Sequence, residues 1–371
     1  MSIVVINATA ARASGALTIL KDFMSYIYSE TENDFIFHLL TTTNCIFKSE
    51  KNIFVHEIPV QSWKTRLLWD KYGFQNWCLE NGIIPDVVIS FQNTCPRLIG
   101  ALQSAKLLVY YHQLLPLVKY HWKWKHKDER KLFLYAHFYG LFVNRWNKNA
   151  DYVVQLPYIK QLFCQKFKNI KKDRVHVIRP NLPKIDINSI ERISIEKTKK
   201  VFIYPAIPVR YKNHKVIINA IEMFRSENSF AIDNLEIIFT VPNDSIIANE
   251  VKNRKLDSVI KCIGSIPYEE LLTYYKRCDG LLFPSEIETF GLPLIEAAMF
   301  GKPIIAADLP YAREVLENYD GVLWTNPNDE TDWKENITKV MSSDINYVSL
   351  KDNNYNTWKD FISLIRTSLK N

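Results

Sequence analysis

Phe283-Pro-Ser-Glu-Ile-Glu-Thr-Phe-Gly-Leu-Pro-Leu-Ile-Glu-Ala-Ala-Met-Phe-Gly301-Lys-Pro-Ile-Ile305 reads as a strand end, a loop, a short helix and the start of another strand. Pro293 suits the first helical turn, where a missing N–H costs nothing. Gly301 suits the helix end, where a left-handed residue closes the last turn. Glu288 lies in the loop and Glu296 just over one turn into the helix. The backbone N–H groups of Phe290, Gly291 and Leu292 fall at the helix N-terminus, a place that attracts phosphate. Gly291 lacks the Cβ that would hold a ligand away from the backbone. Carboxylates beside an anion site call for hydrogen-bond donors, and sugar and ribose hydroxyls are such donors. The plainer reading, surface acids favoured by the helix dipole, describes Glu286, the extra acid of the run.

The same rhythm extends in both directions. Upstream, Ile3–Ile6, Phe35–Leu40, Val87–Phe91, Leu107–Tyr111, Tyr152–Val154 and Val175–Ile178 are short apolar runs of the kind buried on both faces in a parallel sheet. Val201–Tyr204, Leu235–Val241, Val259–Ile263, Leu281–Phe283, Ile304–Ala306 and Val322–Trp324 repeat the pattern. Helical stretches alternate with them, among them Leu20–Ile27, His214–Phe224, Tyr268–Lys276 and Leu294–Phe300. Strand–helix alternation predicts an α/β, doubly wound fold. The prolines of Arg179–Lys184 and the polar run Asp186–Lys200 mark a linker between two halves. Two Rossmann-like domains facing a central cleft follow, with ligands expected beyond the carboxyl ends of the strands.

With 371 residues, 47% hydrophobic and 23% charged, each half has enough apolar material for a core. Nothing approaches the roughly 18 apolar residues of a membrane span. The opening Met1–Ala8 lacks a basic region and reads as a strand, so a cytoplasmic protein is expected. Six scattered cysteines show no zinc or redox spacing, which speaks against a structural metal. The net charge of +7 suits an anionic ligand or surface without choosing between them.

Glu288 and Glu296, framed as Pro-Ser-x-x-Glu-x-Phe-Gly-Leu-Pro-x-x-Glu-Ala, resemble the signature of the retaining glycosyltransferase family 4, which has the GT-B fold. Tyr204–Ala220 with Lys212-Asn213, the segment from Ile263-Gly264 to Asp279, and Val177–Asn181 are similar to other parts of that family. Trp358 resembles the tryptophan of a terminal helix that crosses back to the first domain. The resemblance covers about 180 residues well and the first half loosely. It implies an acceptor-binding domain over 1–183, on which a helix from 354–371 packs, and a donor-binding domain over 184–353.

Residue roles follow from the same resemblance. Lys212 matches a cation for the donor diphosphate. The family usually adds an arginine earlier, where this chain has Ile207, so Arg210 or Lys215 is left to supply the second charge. Glu288 matches the acid on the transferred sugar and Glu296 the acid on the ribose. Phe290, Gly291 and Leu292 match donor contacts, and Gly264 lies where the base stacks. His112, after a first-half strand, resembles a histidine near the donor sugar. Gly15, preceded by Ser14, stands where the family has a glycine pair. No cofactor and no metal are expected: a UDP- or GDP-sugar is the donor substrate, and fixed cations and helix amides stabilise the leaving diphosphate.

Lys119-Tyr-His-Trp-Lys-Trp-Lys-His-Lys, continued by Arg130-Lys131 and the apolar Leu132–Val143, interleaves tryptophan with lysine. That pattern suits peripheral contact with an anionic membrane through 119–131 and hence a lipid-linked or oligosaccharide acceptor in surface polysaccharide synthesis. A basic helix packing its tryptophans inward is the alternative. No recognisable nucleic-acid module accompanies the stretch. Two other functions stay open: a non-catalytic nucleotide-sugar-binding partner of an assembly complex, and a GT-B sugar-nucleotide epimerase.

Overall fold

The computed structural model describes all residues except 13, 31–33, 43–45, 61, 126, 182–184, 188–189, 191–198, 228–231, 344–346, 352–356 and 371. The chain divides into two compact units, Met1–Asn181 together with Asn354–Asn371, and Leu182–Asn353. Most of the linker sequence between them, and Cys45, lie outside the described residues.

The first unit is built on strands β1 (Ser2–Asn7), β2 (Phe35–Thr41), β3 (Ile53–Glu57), β4 (Val87–Ser90), β5 (Lys106–Tyr110), β6 (Asp151–Val154) and β7 (Val175–Val177). All pair in parallel, in the order β3-β2-β1-β4-β5-β6-β7. Helices α1 (Ser14–Ser29), α2 (Trp63–Leu68), α3 (Phe74–Glu80), α4 (Lys127–Phe138) and α5 (Pro157–Lys166) connect them. β3 has no counterpart in the sequence reading. It is an edge strand of mixed burial, with Ile53 inward and Phe54 exposed, so its apolar signal is broken.

The terminal helix α12 (Trp358–Lys370) packs on this first unit. Trp358, Phe361, Ile362 and Ile365 join Phe23, Phe91 and Tyr110 in one core, with the Trp358 ring 5.0 Å from that of Phe23. The indole N–H of Trp358 donates to Asp22 Oδ2 at 2.6 Å, and Asn181 bridges the two chain segments by donating to Asp22 and accepting from the Trp358 amide.

The second unit contains β8 (Lys200–Tyr204), α6 (His214–Glu227), β9 (Leu235–Phe239), α7 (Ile246–Asn253), β10 (Ile260–Cys262), α8 (Tyr268–Arg277), β11 (Gly280–Phe283), α9 (Leu292–Met299), β12 (Ile304–Ala307), α10 (Pro310–Val315), β13 (Val322–Thr325) and α11 (Glu330–Met341). Its six parallel strands run β10-β9-β8-β11-β12-β13. Both sheets thus reverse their strand order once, next to the first strand: between β1 and β4, and between β8 and β11. Such reversal points open a crevice at the carboxyl ends of the strands, where ligands of doubly wound folds bind.

Candidate functional site

In the second unit the loops after β8 and β11, on the two sides of the reversal point, are joined. The first carries a 3₁₀ turn, Arg210–Lys212, closed by Asn213 in the left-handed region. Tyr204, the last residue of β8, donates its hydroxyl to the Lys212 carbonyl at 2.5 Å, and Asn213 Nδ2 donates to the Pro327 carbonyl at 2.8 Å. The Glu286 amide donates to the Tyr211 carbonyl at 2.8 Å, and Tyr311 of α10 donates its hydroxyl to the Ser285 carbonyl at 2.6 Å. Held in this way, the Lys212 ammonium and the Glu288 carboxylate form a direct ion pair, each side chain only 15% exposed. The sequence reading gave these residues separate ligands; the fold makes them partners. Burial, then the Glu288 carboxylate, pushes the neighbouring Tyr211 phenol up to about 12.

Gly291 precedes α9 with φ of +81°, which favours glycine. A Cβ built there meets Leu294 Cδ1 at 3.2 Å and Phe283 Cε1 at 3.5 Å. The Cβ position therefore points at the apolar packing under the loop, which replaces ligand clearance as the reason for glycine here. Phe290 is buried, and Leu292 and Pro293 open the helix. Glu296 faces inward and is only 4% exposed. Tyr275 of α8 donates to its Oε2 at 2.8 Å, and Tyr268 also hydrogen-bonds to it. Burial raises the Glu296 carboxyl above its ordinary value, opposed by these two hydroxyls. An ionised carboxylate has about four acceptor positions, so two tyrosines leave capacity for further hydroxyl donors. Tyr268 and Tyr275 are seven residues apart and share one helix face; that spacing was the signal that could have revealed them.

Gly264 follows β10 with φ of +82° and donates its amide to the Val241 carbonyl at 2.9 Å; a Cβ there meets nothing within 4 Å. Arg210 is exposed on the same turn as Lys212, while Lys215 is exposed on the first turn of α6. His214, between them in sequence, is buried against Tyr204 and Phe239, and burial lowers its imidazole to about 3. It belongs to the core.

In the first unit, His112 lies two residues beyond β5. Its amide donates to Asn93 Oδ1 at 2.5 Å, and Asn93 Nδ2 lies 3.3 Å from His112 Nε2. Nδ1 is enclosed and lies toward the Tyr110 carbonyl without reaching a well-formed hydrogen bond. Burial lowers the ring to about 4, so at neutral pH His112 is an uncharged donor and acceptor. Gly15 is exposed in the first turn of α1, which follows β1; the placement of Ser14's side chain lies outside the described residues.

Sequence reasoning missed the polar cluster at the carboxyl ends of β1 and β4. A π-helical turn, Trp69–Gly73, carries Asp70 into the interior. Asp70 accepts from the Thr94 hydroxyl at 2.5 Å and from Asn7 Nδ2 at 3.5 Å. Gln92 donates to Asn7 and to the Thr9 hydroxyl, Trp69 donates to Asn7, and Arg66 donates to the Tyr139 hydroxyl at 2.9 Å. Burial raises the Asp70 carboxyl to about 6, against the pull of Thr94 and Arg66.

The basic stretch divides. Trp122 is buried at 6% exposure whereas Trp124 is 57% exposed, with Leu134, Phe138 and Leu141 also exposed nearby in sequence. Both tryptophans precede α4 rather than riding on it, so the inward packing of Trp122 is that of a loop residue and not of a helix face. No helix among the described residues is long and apolar enough to cross a membrane, and no cluster of three or more His, Cys, Asp or Glu side chains among them is placed to hold a metal.

The family model of glycosyl transferases group 1 matches residues 186–357. That match falls almost wholly on the second unit. The resemblance first seen around Glu288 and Glu296 falls inside that match. The O-antigen chain mannosyltransferase RfbU of Salmonella typhimurium is 26% identical over 214 residues, 55% of this chain and 57% of that protein. The O-antigen chain mannosyltransferase B of Escherichia coli is 28% identical over 101 residues, 27% of this chain and 26% of that one. The chain thus spans little more than half the length of the first relative and about a quarter of the second. Among solved structures, Alr3699/HepE of Anabaena in complex with UDP aligns over 100% of both chains with a TM-score of 0.65 at 14% identity. Sucrose-phosphate synthase of Thermosynechococcus elongatus aligns over 92% of this chain and 90% of its own with a TM-score of 0.66, also at 14% identity. These likenesses carry the fold, which is GT-B.

Proposed function

We propose that this chain is a retaining glycosyltransferase that moves a hexose-type sugar from a nucleotide diphosphate donor to a hydroxyl of a lipid-linked glycan in O-antigen or capsule synthesis. The observation that carries the proposal is the Lys212–Glu288 pair at the reversal point between β8 and β11, with Glu296 on the helix that follows. A diphosphate arriving there competes with Glu288 for the Lys212 ammonium. As it takes the cation, Glu288 turns from an ion-pair partner into an acceptor for hydroxyls of the transferred sugar. Glu296, fixed by two tyrosines, accepts from the ribose, and the Phe290–Leu292 backbone lies beside the phosphates. Gly264 faces the base, and Arg210 supplies the second cation.

In the proposed reaction the acceptor oxygen attacks on the face from which the diphosphate departs, so the anomeric configuration is kept. The carbon–oxygen bond to the diphosphate breaks, its electron pair stays on the phosphate held by Lys212, and the acceptor's proton passes to that leaving group. No covalent nucleophile on the protein is needed. His112, neutral at working pH, offers the sugar a hydrogen bond without charge. Acceptor chemistry is drawn from the relatives, two of which are O-antigen chain mannosyltransferases. Trp124 and the exposed apolar residues beside the lysines support peripheral contact with an anionic membrane.

A thermal-shift comparison of UDP, GDP, ADP, TDP and CMP tests the donor site. A ligand present at about 100 times its dissociation constant adds roughly 2.7 kcal/mol of stability when only the folded state binds it. One nucleotide should raise the melting temperature, and Lys212→Ala and Glu296→Ala should remove the rise. Absence of any rise would move the chain towards a non-catalytic partner. Conversion of the donor without an acceptor would point to an epimerase.

A further inference from the structure

An open cavity of about 480 Å³ lies in the first unit, lined by none of the residues assigned to the donor site. It is bounded by the segment after β5, by the end of α4 and by the end of α5. Lys119, His121, His137 and Lys166 line it, together with Tyr120 and Trp122, and no acidic side chain does. The volume falls within the roughly 300–1,000 Å³ of small-ligand sites. Basic side chains from three separate segments around one concavity give it a positive local field, which draws an anionic ligand.

The surroundings hold these groups in place. Lys166 sits in the last turn of α5, where the helix dipole favours a cation. His137 stacks on Phe133 with ring centroids 4.1 Å apart, and its Nδ1 meets the Phe133 carbonyl at 2.9 Å. That contact makes Nδ1 the donor and leaves Nε2 as the other ring nitrogen. Trp122 is buried and its ring lies 4.6 Å from that of Tyr120, giving one side of the cavity an aromatic wall. Glu129, an acid of the same stretch, accepts from the Lys123 amide at 2.7 Å and is not among the residues lining the cavity.

We propose that this cavity is a second ligand site, which takes a phosphate monoester: the phosphate between Lys119 and Lys166, with the histidines beside it, and the carbon portion against Tyr120 and Trp122. Lysine binds phosphate as a point charge, and an imidazole N–H adds a directional donor. The site does not depend on the donor-site reading; its lipid arm rests on the membrane contact proposed for 119–131. The same chemistry is met in a soluble phosphate ester and in a lipid headgroup, and the test separates them.

Glycerol 1-phosphate is titrated calorimetrically into the wild type, Lys119→Glu/Lys166→Glu and Lys212→Ala, with vesicle flotation run alongside. The vesicles are phosphatidylcholine with or without roughly a fifth phosphatidic acid, whose charge attracts basic segments. Saturable binding that weakens at least about tenfold in the double variant and is unchanged in Lys212→Ala supports the site, since reversing charges that contact an anion acts mainly on affinity. Flotation with phosphatidic acid, lost in the double variant and competed by glycerol 1-phosphate, assigns a lipid-borne ester; binding of glycerol 1-phosphate alone assigns a soluble one. The milder Lys166→Gln, with its melting curve checked, guards against a folding defect. The proposal is overturned if neither probe binds saturably, if the double variant binds both as the wild type does, or if Lys212→Ala alone abolishes binding.

Discussion

Lys212 and Glu288 stand 76 residues apart, yet their side chains neutralise one another in a half-enclosed position. Glu288→Gln keeps the size of the side chain and an acceptor oxygen while removing the charge. Transfer should fall by ~10²-fold or more, the scale on which a lost transition-state contact registers, while the melting temperature holds. Steady-state rates with the preferred donor check this; an unchanged kcat would remove Glu288 from the reaction. Asp70 gives a second prediction at the same scale. Its carboxyl, buried, keeps its proton to about pH 6, whereas an unfolded one releases it near pH 4. Between those values the folded state holds more protons, so the stability this group contributes is complete below about pH 4 and is lost as pH rises through about 6. The difference amounts to as much as about 3 kcal/mol. Asp70→Asn should remove that slope, and urea midpoints at low and neutral pH measure it; an identical slope in the variant would show that Asp70 is not its source.

Among the elements, the loop from β11 into α9 is the most constrained. Gly291 and Gly264 both have left-handed backbones, but only at Gly291 does a Cβ run into side chains, Leu294 and Phe283. Alanine at either site costs on the order of 1–2 kcal/mol for the backbone alone. Gly291→Ala should therefore melt lower than Gly264→Ala and should also lose transfer, since its loop carries Glu288. Equal melting temperatures would mean that the packing under the loop yields freely. Most strands were legible because their apolar runs are continuous, as in parallel sheets covered on both faces. β3 was not, being an edge strand with Phe54 outward. Strands β4, β5 and β9 end one or two residues before the apolar runs do, because Phe91, Tyr111 and Val241 are buried just past the strand ends, where the Phe91 and Tyr111 amides still donate to Asn7 and Val153 of neighbouring strands. The π turn at Trp69–Gly73 left no sequence mark, and so neither did the burial of Asp70.

At the scale of the molecule, the two units repeat one plan, a parallel sheet with a single reversal of strand order. In the second unit the reversal point gathers a cation, two acids and a helix start from loops after two strands. If these fixed groups alone stabilise the departing diphosphate, transfer should continue in EDTA. Loss of activity that magnesium or manganese restores would show that a divalent ion shares that charge.

The sequence by itself determined the alternation of strands and helices, the place of the Gly291 turn and the identity of the acid pair, because backbone preference and apolar periodicity act over a few residues. Its likeness to a known signature fell within the half that the group 1 family model matches. Tertiary structure alone decided that Lys212 pairs with Glu288, that Tyr268 and Tyr275 hold Glu296, that Asn93 holds His112, and that Asp70 is enclosed. Each depends on segments brought together by strand order, and the energy of a buried charge is set by whatever the fold places around it.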